Sequence, residues 1–196
     1  MENLPTEFIP PAPEAAQPKP RSARLVVDMI ETLLLALVLF LGINLVTARI
    51  RVDGSSMEPT LHHGDYVIVN RLAYKWAKPH RGDVIVFRFP RNPRQEYVKR
   101  ILGLEGDEIN ITNGQVFVNG QLLEESYIAE APRYSSSWRV PQDSLFVLGD
   151  NRNHSSDSHD WEYVPMENVI GKALVVYWPP PAWGLIAHIT PKTTRE

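Results

Sequence analysis

Ser56 and Lys99 are the two residues whose types and settings could together perform covalent chemistry. Ser56 stands in the run Gly54-Ser55-Ser56-Met57-Glu58-Pro59-Thr60-Leu61. A serine hydroxyl is a poor nucleophile at its own pKa and needs a base beside it. Histidine is the usual base, and the chain has six: His62, His63, His80, His154, His159 and His188. No serine sits in a Gly-x-Ser-x-Gly elbow, the strand-to-helix signature of common hydrolases. Composition alone leaves a histidine triad open. A lysine serves instead if it is neutral, which burial in an apolar pocket achieves by disfavouring its charge by roughly 3–4 kcal/mol. Lys99 suits this role, because Glu96-Tyr97-Val98-Lys99-Arg100-Ile101-Leu102-Gly103 reads as a strand. Alternation puts Tyr97, Lys99 and Ile101 on one face. Lys75 and Lys78, beside Trp76 and Pro79, read as solvated loop lysines. Taken alone, the serine run is only a turn, and a strand lysine ordinarily snorkels to the surface.

Other chemistries are poorly supplied. There is no cysteine, which excludes a thiol nucleophile, disulfides and thiolate metal sites. His154-Ser155-Ser156-Asp157-Ser158-His159-Asp160 offers two histidines and two aspartates as possible ligands of a divalent ion. No third histidine is placed to complete a site there, and Ser/Asp-rich loops are ordinarily turns. No metal and no cofactor are expected. The formal net charge of -3 gives no basic field for nucleic acid.

The elements that must position these residues fall into four stretches. Residues 1–24 are Pro-rich and cannot bury a core, so a disordered tail is expected. Thr32 to Ala48 holds no charged residue over 17 positions, the short end of a bilayer span. Extending the helix back to Leu25 brings in Asp28 and Glu31 at headgroup depth. Leu33 to Leu41 is apolar on every face, so 25–48 reads as a transmembrane anchor rather than a core helix. A cleavable secretory signal is the rival, with Lys19, Arg21 and Arg24 as its basic region and Val46-Thr47-Ala48 as its cleavage site. Arg49 and Arg51 on the far side nearly balance those basic residues, and the count slightly favours a cytoplasmic N-terminus.

From 49 to 178 the pattern is antiparallel β. Tyr66–Val69, Val84–Phe87 and Leu145–Leu148 are short apolar runs bounded by turn residues. Ile109 and Ile111 lead through Asn113-Gly114 into Val116 and Val118, then through Asn119-Gly120. Two Asn-Gly turns between alternating strands mark a meander. Ala173 to Trp178 reads as the last strand, stopped by Pro179-Pro180-Pro181. The expected fold class is therefore mainly β, with one preceding transmembrane helix and a C-terminal tail over 179–196. Trp76, Trp138, Trp161, Trp178 and Trp183 read as core or surface filler, with a membrane surface as the alternative for Trp178 and Trp183 beside the Pro-rich end.

Four segments together resemble the successive boxes of type I signal peptidases. They are Ser56–Leu61; Arg81-Gly82-Asp83-Val84-Ile85-Val86-Phe87; Tyr97–Asp107; and Gly149-Asp150-Asn151-Arg152 through Ser155, Asp157 and Ser158. They keep the family's order and follow an apolar anchor. The resemblance implies a serine endopeptidase with Ser56 as nucleophile and Lys99 as general base, then acid. It implies that Ser155 orients the Lys99 amine by a hydrogen bond, that Arg100 pairs with Asp150, and that Asp157 supports the same loop. The Ser56 N–H would donate to the oxyanion.

Substrates would be preproteins with small residues before the cleavage site, bound as a strand beside the Lys99 segment. The setting implied is the plasma membrane, crossed once, with the N-terminus cytoplasmic and the catalytic domain outside. Two positions depart from the commoner pattern. Gly54 stands where some members have a serine that completes the oxyanion hole, so Gly54→Ser is expected to keep or modestly raise activity. His159 stands where arginine usually pairs with the aspartate. About 45 residues separate Leu104 from Gly149, so any inserted cap should be hairpin-sized. The rivals are a narrower Ser–Lys peptidase of the pilin-maturing or self-cleaving repressor kind, and a non-catalytic, membrane-tethered peptide-binding module.

Overall fold

The computed structural model describes residues 21–189 and 192–194. The expected tail over residues 1–20 lies outside them. The chain divides into two units, Met1–Gly42 and Ile43–Glu196. Helix α1 runs over Arg21–Val46, 26 residues, or about 39 Å at 1.5 Å per residue. Residues Arg24–Val46 have a mean hydropathy of 2.4, and the large apolar side chains from Leu25 to Val46 are exposed. Both helix limits differ from expectation. Arg21–Arg24 continue the helix, because nothing in Arg-Ser-Ala-Arg breaks it. Thr47 and Ala48 leave it for a strand, since Thr47 pairs with Asn70 and Ala48 with Val69.

The rest is antiparallel β. The strands are β1 (Thr47–Arg51), β2 (Tyr66–Asn70), β3 (Val84–Phe89), β4 (Asn92–Gly103), β5 (Glu108–Thr112), β6 (Gln115–Val118), β7 (Gln121–Glu124), β8 (Ser136–Arg139) and β9 (Ser144–Leu148). The short helix α2 (Ser158–Trp161) follows, then β10 (Val164–Pro165), β11 (Val169–Trp178), β12 (Gly184–Leu185) and β13 (Lys192–Thr194). One sheet has the order β1-β2-β11-β3-β4-β9-β10, with β12 beside β11; the other has the order β13-β7-β6-β5-β8.

The large sheet is buried on both faces around β3. Val84 and Val86 join one apolar cluster with Met57, Leu61, Val67 and Val98. Ile85 and Phe87 join another with Ile101, Val147 and Trp161. This is why Val84–Phe87 is a continuous apolar run rather than an alternating one. Tyr97 packs on the same cluster as Ile101, so the expected face holds, yet β4 is buried on both sides from Val98 onward. Asn113-Gly114 and Asn119-Gly120 have positive φ at both residues, the type I′ geometry that suits twisted hairpins.

Two expectations fail. The cap between Leu104 and Gly149 is larger than a hairpin: it holds β5 to β8, and β13 completes a five-stranded sheet. Ser136–Arg139 escapes notice because it is polar, yet it pairs along β5, with Trp138 opposite Ile109. The segment after Trp178 is not a separate tail. β12 pairs with β11 and β13 with β7, and between them Ile186 is buried. The Ile186 N–H donates to Leu174 O at 2.9 Å, and these bonds hold the chain past the proline stop.

Candidate active site

Ser56 lies in the loop from β1 to β2, pinned by the fully buried side chains of Met57 and Leu61. Lys99 comes from the middle of β4. Its Nζ is 2.7 Å from Ser56 Oγ. Lys99 is only 4% exposed. Burial lowers its pKa to about 8, against the opposing pull of Asp157 and Asp150. A lysine at that value is partly neutral near pH 8, the condition for taking a proton from a hydroxyl.

The next residue on β4 points into a separate buried network. Arg100 binds Asp150 through two bonds, Nε to Oδ1 at 2.9 Å and Nη2 to Oδ2 at 2.7 Å. Both side chains are fully buried. The remaining guanidinium nitrogen donates to Gly82 O and Ala187 O, each at 2.9 Å. Thr60 Oγ1 donates to Asp150 Oδ2 at 2.5 Å. A buried charge must be paired and hydrogen-bonded, and here four segments supply the partners.

The Gly149–Arg152 loop grips the serine turn directly. The Asn151 N–H donates to Ser56 O at 3.1 Å, and Asn151 Nδ2 donates to Ser55 O at 3.2 Å. A Cβ on Gly149 would stand 2.3 Å from Ser56 O and from Ser155 Oγ, so only glycine fits. The Gly149 N–H donates to Asp157 Oδ2 at 2.8 Å. The other oxygen of Asp157 accepts from the His159 N–H at 3.2 Å and lies 2.6 Å from His159 Nδ1.

Ser155 differs from expectation. It is buried, but its Oγ has no hydrogen-bond partner among the described residues. The amine of Lys99 is directed at Ser56, and Ser155 Oγ packs over Gly149 instead. Gly54 also differs. Its φ is +95°, a region that disfavours any residue with a Cβ, so a serine there is strained whatever its hydroxyl could donate. The Gly54 N–H donates to His63 Nδ1 at 3.1 Å.

Two supporting residues, Glu125 and Tyr127, carry no signal in the sequence. Arg152, fully buried, is held by both oxygens of Glu125, one of them 2.6 Å from Nη1. Arg152 Nε donates to Gly149 O at 3.1 Å. The Tyr127 ring lies 4.2 Å from the Arg100 guanidinium and 6.0 Å from that of Arg152, and its hydroxyl donates to Glu125 at 2.5 Å. Glu125 and Tyr127 sit between β7 and β8 with no periodic neighbours, and only the fold brings them to the loop.

A cavity of about 630 Å³ opens beside the dyad, lined by Arg49, Arg51, Val52, Tyr97, Ser56 and Lys99 among others. Residues of two strand edges line it. β1 pairs with β2 alone. β4 pairs with β3 over Glu96–Arg100 but meets β9 only from Arg100 onward. Among the described residues, the outer edge of β1 and the stretch of β4 before Arg100 have no strand partner on that side, and both line this groove beside Ser56 and Lys99.

Residues 26–178 match the family model described as signal peptidase, peptidase S26. The chain is 45% identical over 187 residues to a signal peptidase I of Leptolyngbya laminosa, covering 89% of this chain and 90% of that protein. It is 42% identical over 163 residues to a probable signal peptidase I-2 of a Synechocystis species, covering 80% and 75%. A crystal structure of a signal peptidase I from Enterococcus faecalis aligns with 32% identity and a TM-score of 0.46, over 49% of this chain and 97% of that one. The N-terminal apolar helix fits membrane anchoring. With a family match over most of its length and relatives covered nearly end to end, the chain belongs to the signal peptidases of peptidase family S26, serine endopeptidases that cleave signal peptides from preproteins.

Proposed function

We propose that Ser56 is the nucleophile and Lys99 the general base of this signal peptidase. The observation that carries this is the 2.7 Å separation of Nζ and Oγ at a lysine that is almost wholly buried. Neutral Lys99 takes the hydroxyl proton as Oγ attacks the scissile carbonyl. The Ser56 N–H, which donates to no carbonyl among the described residues, stabilises the oxyanion. Protonated Lys99 then gives its proton to the leaving amine, and the signal peptide remains as an ester on Ser56. Lys99 next takes a proton from water, which hydrolyses the ester. Arg100, Asp150 and Asp157 hold the two elements in register. Ser155, lying against Gly149, supports the loop whose Asn151 N–H holds the Ser56 carbonyl.

The substrate enters as an extended strand between the edges of β1 and β4, adding backbone hydrogen bonds on both sides. The walls near the dyad leave room for small side chains before the scissile bond. The helix crosses the plasma membrane once, with the N-terminus cytoplasmic and the catalytic domain outside. On that domain Tyr66, Trp178, Trp183 and Leu185 are exposed and adjoin through the Trp178–Tyr66 and Val175–Leu185 pairs. Aromatic side chains of this kind favour the headgroup region, so this rim meets the bilayer surface.

Cleavage of a model preprotein by Lys99→Arg, with its melting temperature measured alongside, tests the dyad. Guanidinium cannot release its proton, so the variant is expected to fold and not to cleave. Near-normal turnover would overturn the assignment of Lys99.

A further inference from the structure

Asp157 is fully buried, and its two oxygens are divided between tasks. Oδ2 holds the Gly149 N–H, and Oδ1 holds the backbone and imidazole of His159. Such a carboxylate acts in two directions. It stabilises a protonated Lys99 through its charge, and it needs a counter-charge of its own. The His159 ring is the group placed to supply one. Its side chain is 19% exposed, with Nδ1 2.6 Å from Asp157 and Nε2 3.2 Å from Asp160. From another segment the Tyr134 ring stacks on it, with centroids 4.1 Å apart and planes at 9°. The charges of Asp157, Arg152, Glu125 and Asp160 act on Tyr134 in turn. Facing Lys99 are Asp157, Asp150, the Ser56 hydroxyl and the Tyr97 ring.

We propose that His159 is a positioning residue for the general base: by holding Asp157, and by carrying a proton or not, it sets the pH at which Lys99 becomes free to accept the Ser56 proton. This rests on Lys99 being that base. Where arginine stands at this position the counter-charge is permanent, whereas in this chain it titrates. Burial alone would lower the imidazole pKa. The hydrogen bond to Asp157 and the charges of Asp157 and Asp160 outweigh burial and hold it above its usual value. As pH falls, His159 gains a proton and cancels part of the field of Asp157. Lys99 then releases its own proton more readily. The acid limb of the activity profile is therefore shallower than a single titration.

The test compares kcat/KM against pH for full-length protein in detergent, using a model preprotein and three residues at 159. His159→Gln keeps a donor for Asp157 but is never charged, so the midpoint should move up by roughly half a pH unit or more. His159→Arg carries a permanent charge, so the midpoint should move down by a similar amount. Coincident midpoints in all three folded proteins would overturn the proposal. Lys99→Arg is assayed beside them: if it is inactive while the midpoints coincide, the role of His159 falls and that of Lys99 stands. If it cleaves normally, the base assignment falls first.

A second measurement leaves position 159 intact. Coupling is reciprocal, so removing the lysine charge must move the histidine. In Ser56→Ala protein with ¹³C-labelled histidine, adding Lys99→Met should raise the NMR titration midpoint of His159. An unmoved midpoint would overturn the proposal even if the His159 variants fold poorly.

Discussion

The carbonyl oxygen of Ser56 stands 2.3 Å from the point that a Cβ on Gly149 would occupy. The neighbour is backbone, so it cannot rotate away. Gly149→Ala must displace either the serine turn or the loop that carries Asp150. Overpacking of this kind typically costs about 1–3 kcal/mol, and the displaced atoms include those of Ser56, the proposed nucleophile. The expected outcome is a lowered melting temperature and loss of preprotein cleavage. Unchanged activity would show that the serine turn moves freely.

As the proposed general base, Lys99 ties both rate and stability to pH. Its folded pKa of about 8 lies below its ordinary 10.5, so the unfolded chain binds more protons between those values. Stability therefore rises with pH across that window. Below it, folding carries a penalty on the order of 3 kcal/mol from the buried lysine. Lys99→Met should be inactive but more stable than the parent at pH 7, and the advantage should vanish by about pH 10.5. Denaturant melts of both proteins at pH 7 and pH 10.5 check the sign. Activity of the parent should climb through about pH 8.

Gly54→Ser is expected to lose stability. The left-handed φ of +95° costs a residue with a Cβ about 1–2 kcal/mol. The space around a Cβ there is open, so the effect is backbone strain rather than collision. Thermal denaturation beside Gly54→Ala separates the two: both should fall alike. Parent-like melting of either variant would mean that the loop relaxes.

Glu125→Gln should be strongly destabilising. It removes the charge that pairs with the fully buried Arg152. Leaving one member of a buried pair alone typically costs about 3–5 kcal/mol. Tyr127→Phe loses only the hydroxyl bond to Glu125 and keeps the ring over Arg100, for about 1 kcal/mol. Urea melts of the two variants should preserve that order.

The apolar helix is expected to remain on the mature protein. N-terminal sequencing of protein extracted from membranes should begin upstream of Arg49. A start at Arg49 would make the helix a cleaved signal instead.

Much of the large sheet is legible in the sequence, because Val84–Phe87 and Leu145–Leu148 are buried on both faces and so are written in apolar residues. The meander is legible through its Asn-Gly turns, whose conformation few other residues adopt. β8, β12 and β13 are not, since Ser136–Arg139 is mostly polar, Gly184–Leu185 is two residues long and Lys192–Thr194 carries no alternation. Such strands are specified by the edge they join. Motif order brings Ser56 and Lys99 to attention, but only coordinates give their separation. The lone hydroxyl of Ser155, the strain at Gly54 and the grip of Glu125 and Tyr127 are relations between distant segments that spacing does not encode.

The two open strand edges along the groove have a consequence beyond substrate entry. An unpaired edge is a template for any extended chain, including an edge of a second copy of the same molecule. The edges that the proposed substrate strand joins are also those most exposed to unwanted pairing. The edges carry Arg49 and Arg51 on one side and Glu96 on the other, all exposed. Charges at such positions act as gatekeepers: when two copies pair through the same edge, like charges meet and repel, so the self-pairing of β1 with β1 or of β4 with β4 is penalised. Replacing them with apolar residues would turn a selective groove into an adhesive one.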